Sequence, residues 1–181
     1  MYDFDHLKEP INSETGVADS FLWAPVAAFS DIKGPTLTAS PGTPTPGEEV
    51  TITANHTFNA GEGFIEVICS PFENQNSAAG IGSPGSMKFN PKLEVFVPGS
   101  YAKLHEFIKN LKNTPGIVLI KDSQCETGIY YQLGSSCSYC WMTAVEWTTG
   151  TNKDGKKGYK VTMETTASAV MIYKGTVTKK P

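Results

Sequence analysis

Arginine is missing from this 181-residue chain, and its 15 basic side chains are all lysine. Phosphate groups and guanine edges are read best by arginine's planar fork, and nucleic-acid binders gather their positive charge on one patch. Here the lysines are dispersed and are outnumbered by 18 acidic residues, for a net charge of −3. Sequence-specific recognition of nucleic acid is therefore set aside.

Long hydrophobic runs are missing as well. The longest, Phe21 to Phe29, is interrupted by Pro25, whereas a membrane-spanning helix needs about 20 apolar residues. The start, Met1-Tyr2-Asp3-Phe4-Asp5-His6, is acidic where a secretory signal is basic. The expectation is a chain with neither export signal nor membrane anchor. Its four cysteines, Cys69, Cys125, Cys137 and Cys140, are then reduced thiols in a cytoplasm. Glycine and proline, 17 and 12 residues, stay below the roughly 25 to 30% that marks a low-complexity chain. They read as punctuation between strands.

Catalytic signatures are scarce. No serine stands in G-x-S-x-G, and His6, His56 and His105 lie far apart in sequence. Glu66 and Glu94 alternate outward from apolar strand positions, so no carboxylate pair has a distinctive spacing. Gly80-Ile81-Gly82-Ser83-Pro84-Gly85 matches a dinucleotide-binding pattern by letter. That pattern works only between a strand and a helix whose first amides face the phosphates, and a β segment follows here. Cys137-Ser138-Tyr139-Cys140 is a single C-x-x-C; structural zinc sites come as two paired knuckles, so structural cysteines are the reading taken. Asn55-His56-Thr57 is a glycosylation sequon without a secretory route. The chain is read as not an enzyme, with no catalytic residue, no cofactor and no metal.

What is present is β structure with one helix. Tyr101, Leu104, Phe107, Ile108 and Leu111 recur at spacings of three and four over residues 101–112, with Ser100 placed to cap the first turn and Pro115 to end the helix. Strands are predicted at 36–39, 49–55, 64–69, 93–97, 117–120, 129–133, 141–147, 159–165 and 170–173, from alternation and β-branched or aromatic content. Asn152-Lys153-Asp154-Gly155 is predicted to turn a hairpin. Ser70 to Ser86 is polar and glycine-rich, too long for a tight turn, and is expected as a contact loop over 70–86. Residues 1–30 show no period but contain Phe21-Leu22-Trp23-Ala24-Pro25-Val26, so they read as an arm that packs on its own domain or on a neighbour. The domain proper is 31–181.

Three blocks carry a resemblance: the arm Phe21 to Val26 followed by Phe29; Phe96-Val97-Pro98-Gly99-Ser100 leading through the helix to Ile117-Val118-Leu119-Ile120; and Gly158 to Glu164 continuing to Met171-Ile172-Tyr173-Lys174-Gly175. Over about residues 20–178 the chain resembles the tail-tube and tail-ring proteins of tailed bacteriophages, particularly small virion proteins of Bacteroides-infecting and crAss-like phages. The resemblance implies a mainly β fold, a tail-tube-like β-sandwich or curled sheet with one flanking α-helix. It implies a homo-oligomeric ring in the virion tail, assembled in the host cytoplasm against neighbouring tail or portal and connector proteins. DNA would pass through the lumen without sequence-specific binding, which suits an arginine-free, slightly acidic chain. The expected adhesive residues are Phe21, Leu22, Trp23 and Val26 on the arm, with Asn74, Gln75, Asn76, Ser83 and Ser86 on the loop. An immunoglobulin-like adhesion or carbohydrate-binding module stands as the alternative, from Pro44 to Ile52 and from Trp141, Trp147 and Tyr130, whose rings could stack on sugars.

Overall fold

The computed structural model describes residues 19–36, 46–71, 73–121, 128–150 and 155–181. In chain order its elements are Asp19–Pro25 (β1), Phe29–Asp31 (β2), Thr51–Ile52 (β3), Thr57–Phe58 (β4), Ile65–Cys69 (β5), Gln75–Ile81 (β6), Lys88–Pro98 (β7), the helix Ala102–Leu111 (α1), Gly116–Lys121 (β8), Tyr130–Leu133 (β9), Trp141–Thr148 (β10), Gly158–Glu164 (β11) and Met171–Tyr173 (β12). They form a six-stranded sheet in the order β3-β12-β9-β8-β1-β5, a four-stranded sheet in the order β10-β11-β7-β6, and the small pair β2-β4. The chain is thus mainly β, with one α-helix among the described residues, as the sequence pattern predicts.

β1 explains the architecture. Phe21, Leu22, Trp23 and Ala24 are consecutive and all buried. Side chains alternate between the faces of a strand, so an unbroken buried run requires a sheet covered on both sides. β8 repeats the pattern with Ile117, Val118 and Leu119, and β1 pairs antiparallel with β8 on one side and with β5 on the other.

One face of this sheet contributes Phe21, Trp23, Val67 and Val118 to a core shared with Leu93, Val95 and Val97 of β7, Val161 and Met163 of β11, and the apolar side of α1. The other face contributes Leu22, Ala24, Ile117 and Leu119 to a second core with Phe29, Ile52, Phe64 and Tyr173, which the β2-β4 pair helps to cover. α1 buries Leu104, Phe107, Ile108 and Leu111, and Phe107 meets the Trp23 indole edge-on with ring centres 6.0 Å apart.

Several expectations are corrected. The described end of the arm is the interior of the fold: Phe21, Leu22 and Trp23 are core residues of a middle strand, and residue 30 is no domain boundary. The apolar cluster looked aperiodic because both of its faces are buried. Val26 is half-buried in a single 3-10 turn, Val26–Ala28, with its amide donating to the Pro115 carbonyl at 2.9 Å. The expected loop 70–86 contains the seven-residue strand β6, joined to β7 by a turn. The strand expected over 49–55 shrinks to two residues, because Gly47 at φ +93° leads into a 3-10 turn, Glu48–Val50. Tyr101, not Ser100, is the residue before the helix, and no side chain caps its first turn. The helix does stop before Pro115, where Thr114 Oγ1 donates to the Asn110 carbonyl at 2.7 Å. Most of the strand expected at 36–39, the turn residues Asn152, Lys153 and Asp154, and Cys125 lie outside the described residues.

Candidate assembly surface

Three of the groups that the sequence singles out, His56, Asn55 and Cys140, are engaged by the fold itself. His56 is buried; its Nδ1 accepts the Lys33 amide at 3.1 Å, so Nε2 carries the proton and donates to Gln132 Oε1 at 2.9 Å. The ring stacks on Tyr173 with centres 4.6 Å apart, and burial holds its pKa below the ordinary histidine value despite the Gln132 hydrogen bond. Asn55 Oδ1 accepts the Thr176 amide, so the sequon asparagine is part of the same scaffold. Cys140 is buried and its thiol is pushed up to about 12, by loss of solvent and then by Glu164, so it stays protonated, whereas Cys137 is exposed. Among the described residues no three His, Cys, Asp or Glu side chains converge as a metal site requires. The glycines of the dinucleotide-like stretch end β6 and turn into β7, with Gly82 at φ +107° and Gly85 at φ +88°, so a strand rather than a helix comes next.

The surface feature that needs explaining is the four-stranded sheet. Its outer strands are exposed on both faces: every residue of β6, and every residue of β10 except the half-buried Met142. Among the described residues, the large hydrophobic side chains that remain exposed are Ile81, Met87, Phe89, Trp141, Val145 and Trp147. All six belong to β6, β10, or the turn and first residues of β7. The outward face between them is charged, with Lys92 Nζ 2.7 Å from Glu94 and 3.9 Å from Glu164. Apolar exposure is therefore concentrated at the rims of this sheet rather than across its middle.

The two rims match. β6, with the sequence QNSAAGI, has no charge and no proline, and β10, WMTAVEWT, has one charge, Glu146. Proteins that must stay apart protect long edges with lysine, proline or bulges. β10 has one irregularity, a register shift between Met142 and Ala144. Neighbouring strands of the sheet run antiparallel throughout, and their number is even, so β6 and β10 point in opposite directions. A second copy related by rotation about an axis roughly along the strands would bring its β10 antiparallel to the first copy's β6, the direction that continues the sheet's alternation.

Of the expected contact residues, Gln75 and Asn76 are exposed on β6 and Ser83 and Ser86 are exposed in the turn beyond it, where the Ser86 amide donates to the Ser83 carbonyl at 3.0 Å. Half-buried Asn74 immediately precedes the strand. These five share one edge; Phe21, Leu22 and Trp23 are apart from it, in the core. Sequence reasoning identified β10 but missed it as a rim. No local signal marks it as a rim, because the order of strands in a sheet is set by pairing between sequence-distant segments.

Among the described residues the fold defines a class, a mainly β protein with one flanking helix and a four-stranded sheet whose outer strands pair on one side. No protein-family model matches the chain, and neither the curated proteins nor the solved structures contain a match to it.

Proposed function

We propose that this is a structural virion protein of a tailed bacteriophage, a non-enzymatic ring or tube subunit of the tail or its connector. Copies assemble side by side by pairing β6 of one with β10 of the next, around a channel that conducts DNA. The observation that carries the reading is the pair of near-equal, almost uncharged, oppositely directed edges on one sheet, with the exposed large hydrophobic residues gathered beside them. Head-to-tail pairing of unlike edges closes into a ring when the rotation per copy permits, and it removes both edges from solvent.

The arginine-free composition and net charge of −3 support the channel role, since a lumen that held phosphates tightly would impede a moving genome. Neighbouring tail, portal or connector proteins are the proposed axial partners, and the virion tail, built in the host cytoplasm, is the proposed location.

The test is electron microscopy with light scattering on the purified chain, alone and with tail components, beside a variant carrying Ser77→Lys and Ala79→Lys on β6. Rings or tubes that disappear in the variant support the reading. A monomer under every condition overturns it.

A further inference from the structure

The four-stranded sheet carries a second feature on its outward face. An open cleft of about 460 Å³ lies between β7, β10, β11 and the turn that ends at Tyr139. Its walls include Trp141, Tyr139, Thr143, Asn90, Glu164 and Thr166. The volume falls within the range of small-molecule sites, which combine apolar or aromatic walls with a few placed polar groups.

The polar groups are held in place. Glu164 Oε2 accepts a hydrogen bond from Asn90 Nδ2 at 3.3 Å, and Glu164 Oε1 is 3.9 Å from Lys92 Nζ. The turn is built on Ser135, whose Oγ accepts the amides of Cys137 and Ser138 at 3.3 and 3.1 Å. It is tied to the sheet by Thr165 Oγ1, which donates to the Ser138 carbonyl at 3.2 Å. Trp141 is 46% exposed, a large indole left facing solvent on a preformed surface. The register shift in β10 leaves Thr143 without a cross-strand partner, and Thr143 also lines the cleft. Bulges re-aim side chains at sheet edges and binding sites.

We propose that this cleft is a binding site for a neutral glycan of one or two sugar rings. An indole accepts the apolar C–H face of a pyranose, while a carboxylate, an amide and hydroxyls at the rim accept and donate to ring hydroxyls. An anionic ligand is disfavoured because the nearby cation, Lys92, is already engaged by Glu94 and Glu164. The site goes beyond the assembly reading and does not rest on it: edge pairing uses the backbone of β10, and the cleft uses side chains on the outward face.

Of the aromatics that the sequence offered for sugar stacking, Trp141 alone lines the cleft. Tyr130 packs against the second core, and Trp147 leans on His105 with ring centres 5.9 Å apart. Trp147 therefore serves as the internal control.

The experiment screens the full chain on an array of neutral hexose and N-acetylhexosamine oligosaccharides, with sialylated glycans and nucleotides alongside, then titrates the hits by tryptophan fluorescence and calorimetry. Saturable binding to a neutral glycan is expected, weakened about tenfold or more by Trp141→Ala, weakened less by Glu164→Gln, and unchanged by Trp147→Ala. Thermal melting checks that Trp141→Ala folds; should it not, Glu164→Gln carries the test. Absence of saturable binding to every neutral glycan, preference for the anionic ligands, or affinity indifferent to both cleft substitutions would overturn the proposal.

Discussion

The six-stranded and four-stranded sheets come from one chain and share a core, yet they treat their strands in opposite ways. In the first, β1 and β8 lie inside the sheet and bury both faces, so their sequences are unbroken apolar runs. In the second, β7 and β11 bury one face and show charge on the other, while β6 and β10 bury almost nothing. A six-stranded sheet covered by α1 and β7-β11 on one face and by β2-β4 on the other supplies stability. A four-stranded sheet with two bare rims supplies surface. Substitutions should separate along the same line: changes in the first sheet act on unfolding at any concentration, and changes at the rims act on association.

The largest effect is expected from Trp23→Ala. Removing a buried indole that meets Phe107 should cost about 3 to 5 kcal/mol, measured by urea unfolding of dilute monomer. Unchanged monomer stability with lost assembly would return Trp23 to an adhesive role and break the comparison.

Gly116→Ala probes the same strand pair from the other side. A Cβ there would lie 2.3 Å from Trp23 Nε1 and 2.7 Å from the Ala24 carbonyl oxygen, and that oxygen is backbone that cannot rotate away. Overpacking of this kind costs about 1 to 3 kcal/mol. A variant as stable as the parent would show that β1 can slide on β8.

His56 gives the first region a pH dependence. Its folded pKa is lowered by burial, so below the ordinary value of 6.5 the unfolded chain binds a proton that the folded chain resists. Its contribution is therefore present above that range and lost as pH falls through it. Urea midpoints of the parent should drop between pH 7.5 and 5.5, and His56→Gln, less stable at neutral pH, should show a smaller drop over that interval. An equal drop in both chains would assign the dependence to other groups.

What could be read beforehand follows the physics of each region. The helix, β5, β7, β8, β9, β10, β11 and β12 were legible because one face or one run of apolar residues announces them. β1 and β8 are both apolar runs without a period, but Ile117-Val118-Leu119-Ile120 is rich in β-branched residues, whereas Phe21-Leu22-Trp23-Ala24-Pro25 has no β-branched residue and ends in proline, so it reads as an arm. β6 is hidden by its polarity: Gln75, Asn76, Ser77 and Gly80 have the composition of a loop, and only pairing with β7 makes them a strand. The candidate surface was half legible. Composition points to Asn74 to Ser86 as a contact segment, but its partner edge β10 depends on sheet order, which brings sequence-distant strands together and leaves no local signature. The same holds for the cleft, where Asn90, Trp141 and Glu164 meet only through register.

The smallest effect on the fold should come from Trp147→Ser. Its ring is 50% exposed and touches His105, so monomer stability should fall by no more than about 1 kcal/mol. Trp147 nevertheless sits on the rim strand, across from Tyr159 of β11, where a neighbouring β6 would cover it. Loss of apolar area at a repeated contact is multiplied around a ring, so sedimentation should show a higher concentration threshold for assembly with little change in melting temperature. A variant that assembles as readily as the parent would move the contact off β10, and a variant that unfolds at low concentration would make Trp147 a core residue, erasing the distinction between the two sheets.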